Sequence, residues 1–413
     1  MRPSPAAHPM SHRTQLTHSP LNVVSLFSGC GGLDLGFQQE GFSVVAAFDI
    51  NPAAVEHYKA NLGARIAVAD LSAGGASPLD LPCKAGVVIA SPPCQGFSTA
   101  GKRELDDPRN TLLLAAGQIG VQLKPRVFVL ENVSGAASGQ HSRYWDALGL
   151  LFRDNGYKTT TLKCQAATMG VPQIRTRLIF LAWKTPSEPY LALPERSKVT
   201  LEMALKAVED APDHAPRFLP SGSRALAIAE HIGPGQKLCN VRRGARSVHT
   251  WDIPEIFGTT SYSERAVLEA MVVLRRRDRV RSFGDADPVN ASTISRHLRR
   301  STTSDVASLV GKGYMRRDGR SYDLTHTFNG KHRRLSWEAP SLTVDTRFGD
   351  PRYFLHPSEN RGFSVREVAR IQGFPDSFRF SGPERQSYML LGNAVPPPMA
   401  REIAALVKGR LLV

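Results

Sequence analysis

The chain has few cysteines and no apolar run of membrane length, and these scarcities remove several classes of function. Its five cysteines, Cys30, Cys83, Cys94, Cys164 and Cys239, form no Cys-x-x-Cys pair. Neither a zinc site nor a disulfide framework is indicated, and no metal is expected. No apolar stretch approaches the ~20 residues of a bilayer span, and the N-terminus lacks a signal-peptide core. A membrane partner is not expected, and the reduced cysteines suit a cytoplasm. Acid is also short, since 37 Asp and Glu stand against 52 Lys and Arg and leave a formal charge of +15. That excess favours a polyanionic partner, most simply nucleic acid, provided it is not just a solvated surface. The 413 residues, 41% of them hydrophobic, suffice for two domains or one large domain with an insertion.

The chain is organised around Ala90-Ser91-Pro92-Pro93-Cys94-Gln95-Gly96-Phe97-Ser98. The apolar run Val87 to Ala90 reads as a buried parallel strand that two prolines then end. A lone cysteine is more often packing than chemistry. A stiff turn beyond a strand's carboxyl end, however, is where open α/β sheets bind ligands.

Upstream, Met1 to Pro20 is Pro-, Ser- and His-rich and reads as a disordered tail. The fold begins with the strand Asn22 to Phe27, followed by Ser28-Gly29-Cys30-Gly31-Gly32-Leu33-Asp34. Glycines at a strand-to-helix turn let the backbone approach a ligand and present helix amides to it. The next strand, Val44 to Phe48, ends in Asp49, placed to accept from ribose hydroxyls in nucleotide-type sites. A helix is expected from Pro52 to Asn61. The strand Arg65 to Val68 follows and leads to Asp70, which could meet an adenine amino group. Either acid alone could be a simple strand-end cap; with the glycine turn they make a cofactor pocket.

After Cys94 the segment to Asn110 is polar and reads as a mobile loop over the pocket. A helix from Thr111 to Leu123 leads to the strand Arg126 to Leu130 and then Glu131-Asn132-Val133, converging on the crevice of Cys94. Strands follow near Lys158 to Cys164 and Arg177 to Trp183. Alternation before the second points Gln173, Arg175 and Arg177 to one face. In solvent that means nothing; beside Glu131 it means a polar pocket.

This order of glycine turn, acidic strand ends, Pro-Pro-Cys-Gln, Glu-Asn-Val and Gln-x-Arg-x-Arg resembles the DNA (cytosine-5) methyltransferase family, of the bacterial restriction–modification type. Near the C-terminus, Arg361 to Pro375 (RGFSVREVARIQGFP) and Gly392-Asn393-Ala394-Val395 resemble that family's last two motifs. The resemblance spans Leu21 to Ala400. It implies a Rossmann-like α/β S-adenosylmethionine-dependent methyltransferase fold with a smaller, irregular target-recognition domain. It implies methyl transfer from S-adenosylmethionine to carbon 5 of a flipped-out cytosine in a specific short duplex DNA sequence. Cys94 would be the nucleophile, adding to carbon 6 to form a covalent adduct. Glu131 would donate to ring nitrogen 3, Arg177 hold the carbonyl oxygen, and Arg175 buttress Glu131 and the catalytic loop. The base that removes the carbon-5 proton stays unassigned.

By the same resemblance, Phe27 stacks on the adenine of the methyl donor, and Ser28, Gly29, Cys30, Gly31 and Gly32 admit its methionine part. Asp49 takes the ribose and Asp70 the adenine. Ile50, Leu71, Pro93, Leu112, Asn393, Ala394 and Val395 close the pocket; position Ile50 is often aromatic in the family. Gln95, Ser98, Arg109 and Thr343 would contact DNA, and the 97–109 loop would close behind the extruded base.

The catalytic domain is expected at 21–190, completed by 383–413, after the 1–20 tail. The target-recognition domain is expected at 191–382. Within it, Phe218 to Pro254 is basic and loop-rich. Helices over Ser263–Arg277, Ala291–Arg300 and Ser304–Gly311, then a hairpin turning at Asp318-Gly319, resemble a winged-helix insert at about 263–330. Its third helix would face DNA and its wing arginines grip phosphate, or the insert would merely stabilise the region. A final helix is expected from Pro396 to Leu412. The reading is a monomeric, cytoplasmic bacterial enzyme on double-stranded DNA. It pairs functionally with a restriction endonuclease and needs no stable protein partner. Arginine-rich recognition is compatible with guanine contacts and leans to a GC-rich palindrome. Three rivals stand beside it. A tRNA cytosine methyltransferase of the same fold is disfavoured by the large basic region. A silent DNA-binding regulator is disfavoured by intact Cys94, Glu131 and Arg177. A dinucleotide-dependent dehydrogenase would have no use for Pro-Pro-Cys-Gln.

Overall fold

A computed structural model describes residues 19–63, 65–74, 84–93, 108–185, 188–211, 213–277, 279–281, 286–325 and 330–412, with the backbone alone at 108–109. The proposed nucleophile Cys94, with Gln95, Ser98, the side chain of Arg109 and nearly all of the N-terminal tail, lies outside the described residues. The chain forms two compact units. The first comprises 1–165, 176–195 and 395–413; the second comprises 166–175 and 196–394.

The first unit alternates β1 (Asn22–Leu26), α1 (Gly32–Gln39), β2 (Ser43–Asp49), α2 (Pro52–Leu62), β3 (Ile66–Val68), β4 (Val87–Ala90), α3 (Leu112–Leu123) and β5 (Val127–Val133), then α4 (Ser142–Asp154), β6 (Lys158–Gln165) and β7 (Thr176–Trp183). Its seven-stranded sheet has the order β3-β2-β1-β4-β5-β7-β6. The strands β1 to β5 pair in parallel. Every residue of β1 and β4 is buried, as a parallel sheet covered on both faces requires. Strand β7 runs antiparallel to both β5 and β6. The ten residues 166–175 joining β6 to β7 are too few for the crossover that a parallel pair needs. An aromatic group of Phe128, Phe152 and Phe180, with Trp145 and Tyr157 edge-on, fills the layer between the sheet and α4. Each fully buried ring contributes roughly 1.5–3 kcal/mol.

Helix α1 lies directly on the C-terminal helix Pro397–Leu406. A Cβ on Gly36 would stand 2.4 Å from Ala400 Cβ and 2.6 Å from the Arg401 amide. Backbone, not a flexible side-chain end, blocks that position. The C-terminal helix stops earlier than expected, and residues Val407–Leu411 form a π-turn.

In the second unit, α5 (Tyr262–Arg277), β8 (Val289–Asn290), α6 (Ala291–Leu298), α7 (Thr303–Lys312), β9 (Met315–Asp318) and β10 (Ser321–Leu324) follow one another in winged-helix order. The strands form the antiparallel sheet β8-β10-β9. Asp318 pairs with Ser321, so the hairpin turns on Gly319 and Arg320, one residue later than the sequence suggests. Gly319 has φ 59°, which its lack of a Cβ permits. The module has its own core of Val267, Met271, Leu274, Ile294, Val306, Leu309, Tyr314 and Leu324, with Trp251 packed in from outside it.

Replacing Gly36 by Val should destabilise the protein by about 1–3 kcal/mol, the usual cost of overpacking against an unyielding neighbour. Denaturant unfolding of the variant measures this, and an unchanged midpoint would contradict the close approach.

Candidate functional site

The carboxyl ends of β1 to β5 carry most of the residues singled out by sequence in the first unit. After β1 the backbone alternates into left-handed conformation at Phe27 (φ 54°), Gly29 (φ 55°) and Gly31 (φ 90°). Such a curl turns successive amides inward. Two anchors hold it. The Ser28 hydroxyl accepts from the Phe48 amide at 3.2 Å, and Asp49 Oδ2 accepts from the Gly29 amide at 2.8 Å. Asp49 Oδ1 accepts from the Asn51 amide at 2.8 Å. The carboxylate assigned to ribose is thus also the clamp that shapes the glycine turn; each oxygen keeps a further lone pair for a hydroxyl.

A Cβ at Gly29 would meet nothing within 4 Å, whereas one at Gly31 would strike Leu62 Cδ1 at 2.3 Å and the Tyr58 ring at 2.9 Å. Gly29 opens onto space and Gly31 closes onto α2. That open, amide-lined curl beside a carboxylate fits the methionine and ribose parts of S-adenosylmethionine. Cys30 and Leu71 are buried and Ile50 is 62% exposed. Asp70 is exposed and accepts from the Ser72 amide at 2.9 Å, a hydrogen bond that lowers its pKa. Pro93 and Leu112 are half-buried. Burial pushes the Cys30 thiol up to about 12, so it stays protonated.

Beneath the turn lies Asp34, fully buried, with Oδ1 accepting from the Tyr58 hydroxyl at 2.7 Å. Sequence reasoning passes it over, because an Asp in a helix's first turn looks like a dipole partner. Burial raises its pKa to about 6 despite the Tyr58 hydrogen bond.

On the other side of β4, Glu131 and Asn132 end β5, both buried. Arg177 Nε lies 2.8 Å from Glu131 Oε1, with both side chains nearly excluded from solvent. The contact is an ion pair rather than an aligned hydrogen bond, since that oxygen lacks a hydrogen-bond partner of good geometry. Asn132 Nδ2 donates to the Pro92 carbonyl at 3.2 Å, and the Ser91 hydroxyl donates to the Phe27 carbonyl at 3.0 Å. The Pro-Pro turn is therefore tied to the end of β5 and to the glycine turn at once. Sequence reasoning gives Asn132 no role of its own; its signal is its place between Glu131 and Val133.

The alternation expected to unite Gln173, Arg175 and Arg177 does not hold, because strand pairing begins only at Thr176. Arg177 alone lies on β7. Gln173 and Arg175 belong to the second unit. Gln173 Nε2 donates to Gln372 Oε1 at 2.6 Å, and Arg175 donates to the carbonyls of Val344 at 2.9 Å and Ala394 at 3.0 Å. Gln372 also donates to the Ala394 carbonyl, at 3.4 Å, so the turn after Asn393 is gripped twice. Asn393 is exposed, Ala394 buried, and Val395, already in the first unit, buried. Thr343 is exposed, its hydroxyl donating to the Ile174 carbonyl at 2.6 Å. Among the described residues no group of His, Cys, Asp and Glu could hold a metal ion, and no helix is long and apolar enough to cross a membrane.

An open, mostly parallel sheet with a glycine turn and acidic strand ends at its carboxyl edge is the architecture of enzymes that take nucleotide-type cofactors. Residues 21–409 match the family C-5 cytosine-specific DNA methylase, and the chain belongs to it. It is 30% identical over 394 residues to the type II methyltransferase M.XorII of Xanthomonas oryzae pv. oryzae, covering 93% of this chain and 84% of that one. It is 28% identical to M.AgeI of Thalassovita gelatinovora, covering 94% and 99%. The crystal structure of the Dnmt2 methyltransferase of S. pombe shares the fold, with a TM-score of 0.51 and 16% identity over 94% of this chain and 98% of that one. The protein is a DNA cytosine methyltransferase of a family that uses S-adenosylmethionine.

Asp34→Asn tests the buried acid. Its folded pKa lies above the ordinary value of 3.8. Its stabilising contribution is therefore full below that value and lost as pH rises through about 6. The stability of the wild type minus that of Asp34→Asn should fall by up to about 3 kcal/mol between about pH 4 and 7. Urea unfolding across that range measures it; a flat difference would place the proton elsewhere.

Proposed function

We propose that Cys94 is the nucleophile, adding to carbon 6 of a cytosine extruded from duplex DNA. Carbon 5 of cytosine is too weak a nucleophile to take a methyl group directly. Addition at carbon 6 turns the ring into an enamine, and negative charge builds on it as the thiolate attacks; once carbon 5 bears the methyl group, a base removes its proton, the ring double bond re-forms and the Cys94 thiolate is expelled. Glu131, taking up a proton from water as Arg177 leaves it for the ring carbonyl oxygen, donates that proton to ring nitrogen 3. Arg175 positions the turn around Asn393, with Gln372 as its second hold. Extrusion is required because the target carbon is buried in the base stack.

The observation that carries this reading is the buried Glu131–Arg177 pair, joined through Asn132 to the Pro92-Pro93 turn from which Cys94 continues. Two of the other thiols, Cys30 and Cys164, are unsuited to the role. Burial raises both to about 12, which leaves them protonated and unreactive.

Bound S-adenosylmethionine would supply the electrophilic methyl group that the activated carbon takes. For this chain, Phe27 would stack on its adenine, Ser28 to Gly32 would receive its methionine part, and Asp49 and Asp70 would accept from its ribose and adenine. Ile50, Leu71, Pro93, Leu112, Asn393, Ala394 and Val395 would line the remainder. Gln95, Ser98, Arg109 and Thr343 would contact DNA, and residues 191–382 would select the sequence, with 21–190 and 383–413 as the catalytic domain. The type II relatives favour a role as the modification half of a restriction–modification pair, acting in a bacterial cytoplasm as a monomer.

Bisulfite sequencing of plasmid from cells expressing the chain tests this. Protected cytosines should fall at one short repeated sequence and vanish with Cys94→Ala, while that variant still binds DNA. Protection that persists in Cys94→Ala would remove the nucleophile assignment. Soluble wild-type protein with no protected cytosine would remove duplex DNA as its working substrate in those cells.

A further inference from the structure

The winged-helix module presents two polar surfaces at opposite ends of α5, a helix of 16 residues and therefore about 24 Å long. At its start lies the exposed side of α7, the face that ordinary winged-helix docking would turn towards DNA. That surface is electrically closed. Arg300 holds Asp305 at 2.5 Å, and the Ser263 hydroxyl donates to the same carboxylate at 2.8 Å. Lys312 reaches both oxygens of Glu264 at 2.8 Å, and Ser308 adds a bond of 2.6 Å. Burial would raise the Glu264 carboxyl, yet Lys312 and Ser308 bring it down to about 2. Both cations are taken, and a phosphate arriving here would meet two carboxylates.

The other end is different. Just past α5, Asp287 Oδ2 accepts from the amides of Val280 at 2.6 Å and Arg281 at 3.1 Å. This clip fixes Arg279-Val280-Arg281 beside the edge strand β8, with Val280 90% exposed between its neighbours. Arg281 lies 3.8 Å from Asp287 and 3.8 Å from Asp318, the residue that flanks the wing's turn, and so braces the strap against the wing. At the wing's tip Arg317 Nε donates to the Gly319 carbonyl at 3.0 Å, and Arg320 occupies the turn. Arg279, Arg317 and Arg320 are exposed, and among the described residues no carboxylate lies within ion-pair distance of them. Guanidinium forks on a braced backbone match phosphate oxygens geometrically and give up less side-chain entropy per bond than loose lysines would.

We propose that Arg279, Arg317 and Arg320, on the wing end and not on α7, form a sequence-independent phosphate grip for duplex DNA, with Arg281, held between Asp287 and Asp318, as its brace. The module holds the DNA backbone and does not read bases through α7. This rests on DNA as the enzyme's substrate and not on which residues select its target.

The test uses the full chain and poly(dA)·poly(dT), a duplex with no cytosine and hence no target. Affinity is measured by fluorescence anisotropy over a range of salt. For wild type against Arg279→Ala/Arg317→Ala/Arg320→Ala, the slope of log K on log salt should shrink by about 2.7, since each of three phosphates no longer neutralised removes about 0.9 from it. Affinity at low salt should fall at least tenfold. Ala307→Glu, which puts an acid on the exposed side of α7, should leave both unchanged. A triple variant that unfolds at the wild-type temperature yet keeps the wild-type slope overturns the proposal. So does a weakening confined to Ala307→Glu, which would put DNA on α7. Plasmid methylation by the wild type, scored alongside, reports on the enzyme activity itself, so a failure there is distinguishable from a failure of the grip.

Discussion

The register between β5 and β7 is the constraint on which the site depends. Glu131 pairs with Ile179, and Arg177 pairs with Val133 two residues further on. Glu131 and Arg177 are therefore diagonal neighbours on one face of the sheet, close enough for an ion pair. A slip of one residue would turn Arg177 to the opposite face and strand a buried carboxylate. The same register places Asn132 where it can reach the Pro92 carbonyl. One ladder thus positions the acid, its cation and the turn that leads to the proposed nucleophile, Cys94. It is set by apolar residues, Leu178 to Trp183, all of them buried.

The glycine turn follows a parallel logic with different parts. Of its three left-handed residues only Phe27 bears a steric cost, Gly29 and Gly31 lacking a Cβ, and the Asp49 carboxylate and the Ser28 hydroxyl hold the turn in place. Below them the Asp34–Tyr58 contact joins α1 to α2, with Gly31 pressed between Tyr58 and Leu62. The groups that shape the open turn and those that support it from below are the same side chains or adjacent ones.

The basic excess divides into two kinds of arginine. Arg175, Arg334, Arg361 and Arg366 are buried, and they tie loops together. Arg334 donates to the carbonyls of Ala229, His356 and Glu359; Arg361 takes both oxygens of Glu367 at 2.7 and 2.8 Å. Arg366 grips Asp213 at 2.8 and 2.9 Å. An irregular region with short ladders has many unpaired carbonyls, and a five-donor side chain satisfies several at once. Only exposed arginines, such as Arg317 and Arg320 at the wing, can face a polyanion. Net charge alone overstates the DNA-facing surface.

Sequence alone determined the βα alternation, the places of Glu131, Asp49 and the glycine turn, and the helices of the winged module, because each rests on local signals. Apolar runs bounded by Gly, Pro and acidic strand ends carry their meaning within a few residues of themselves. Tertiary structure alone decided that β7 runs antiparallel between β5 and β6, and so that Arg177 meets Glu131 while Gln173 and Arg175 serve the second unit. It alone decided that Asp34 is buried, and that the acids beside α7 already hold their cations whereas Arg317 and Arg320 meet no carboxylate among the described residues. Those outcomes depend on which distant residues share a face or a partner. A one-dimensional pattern does not encode that, since pairing across a sheet and neutralisation across a helix end are set only when the layers pack.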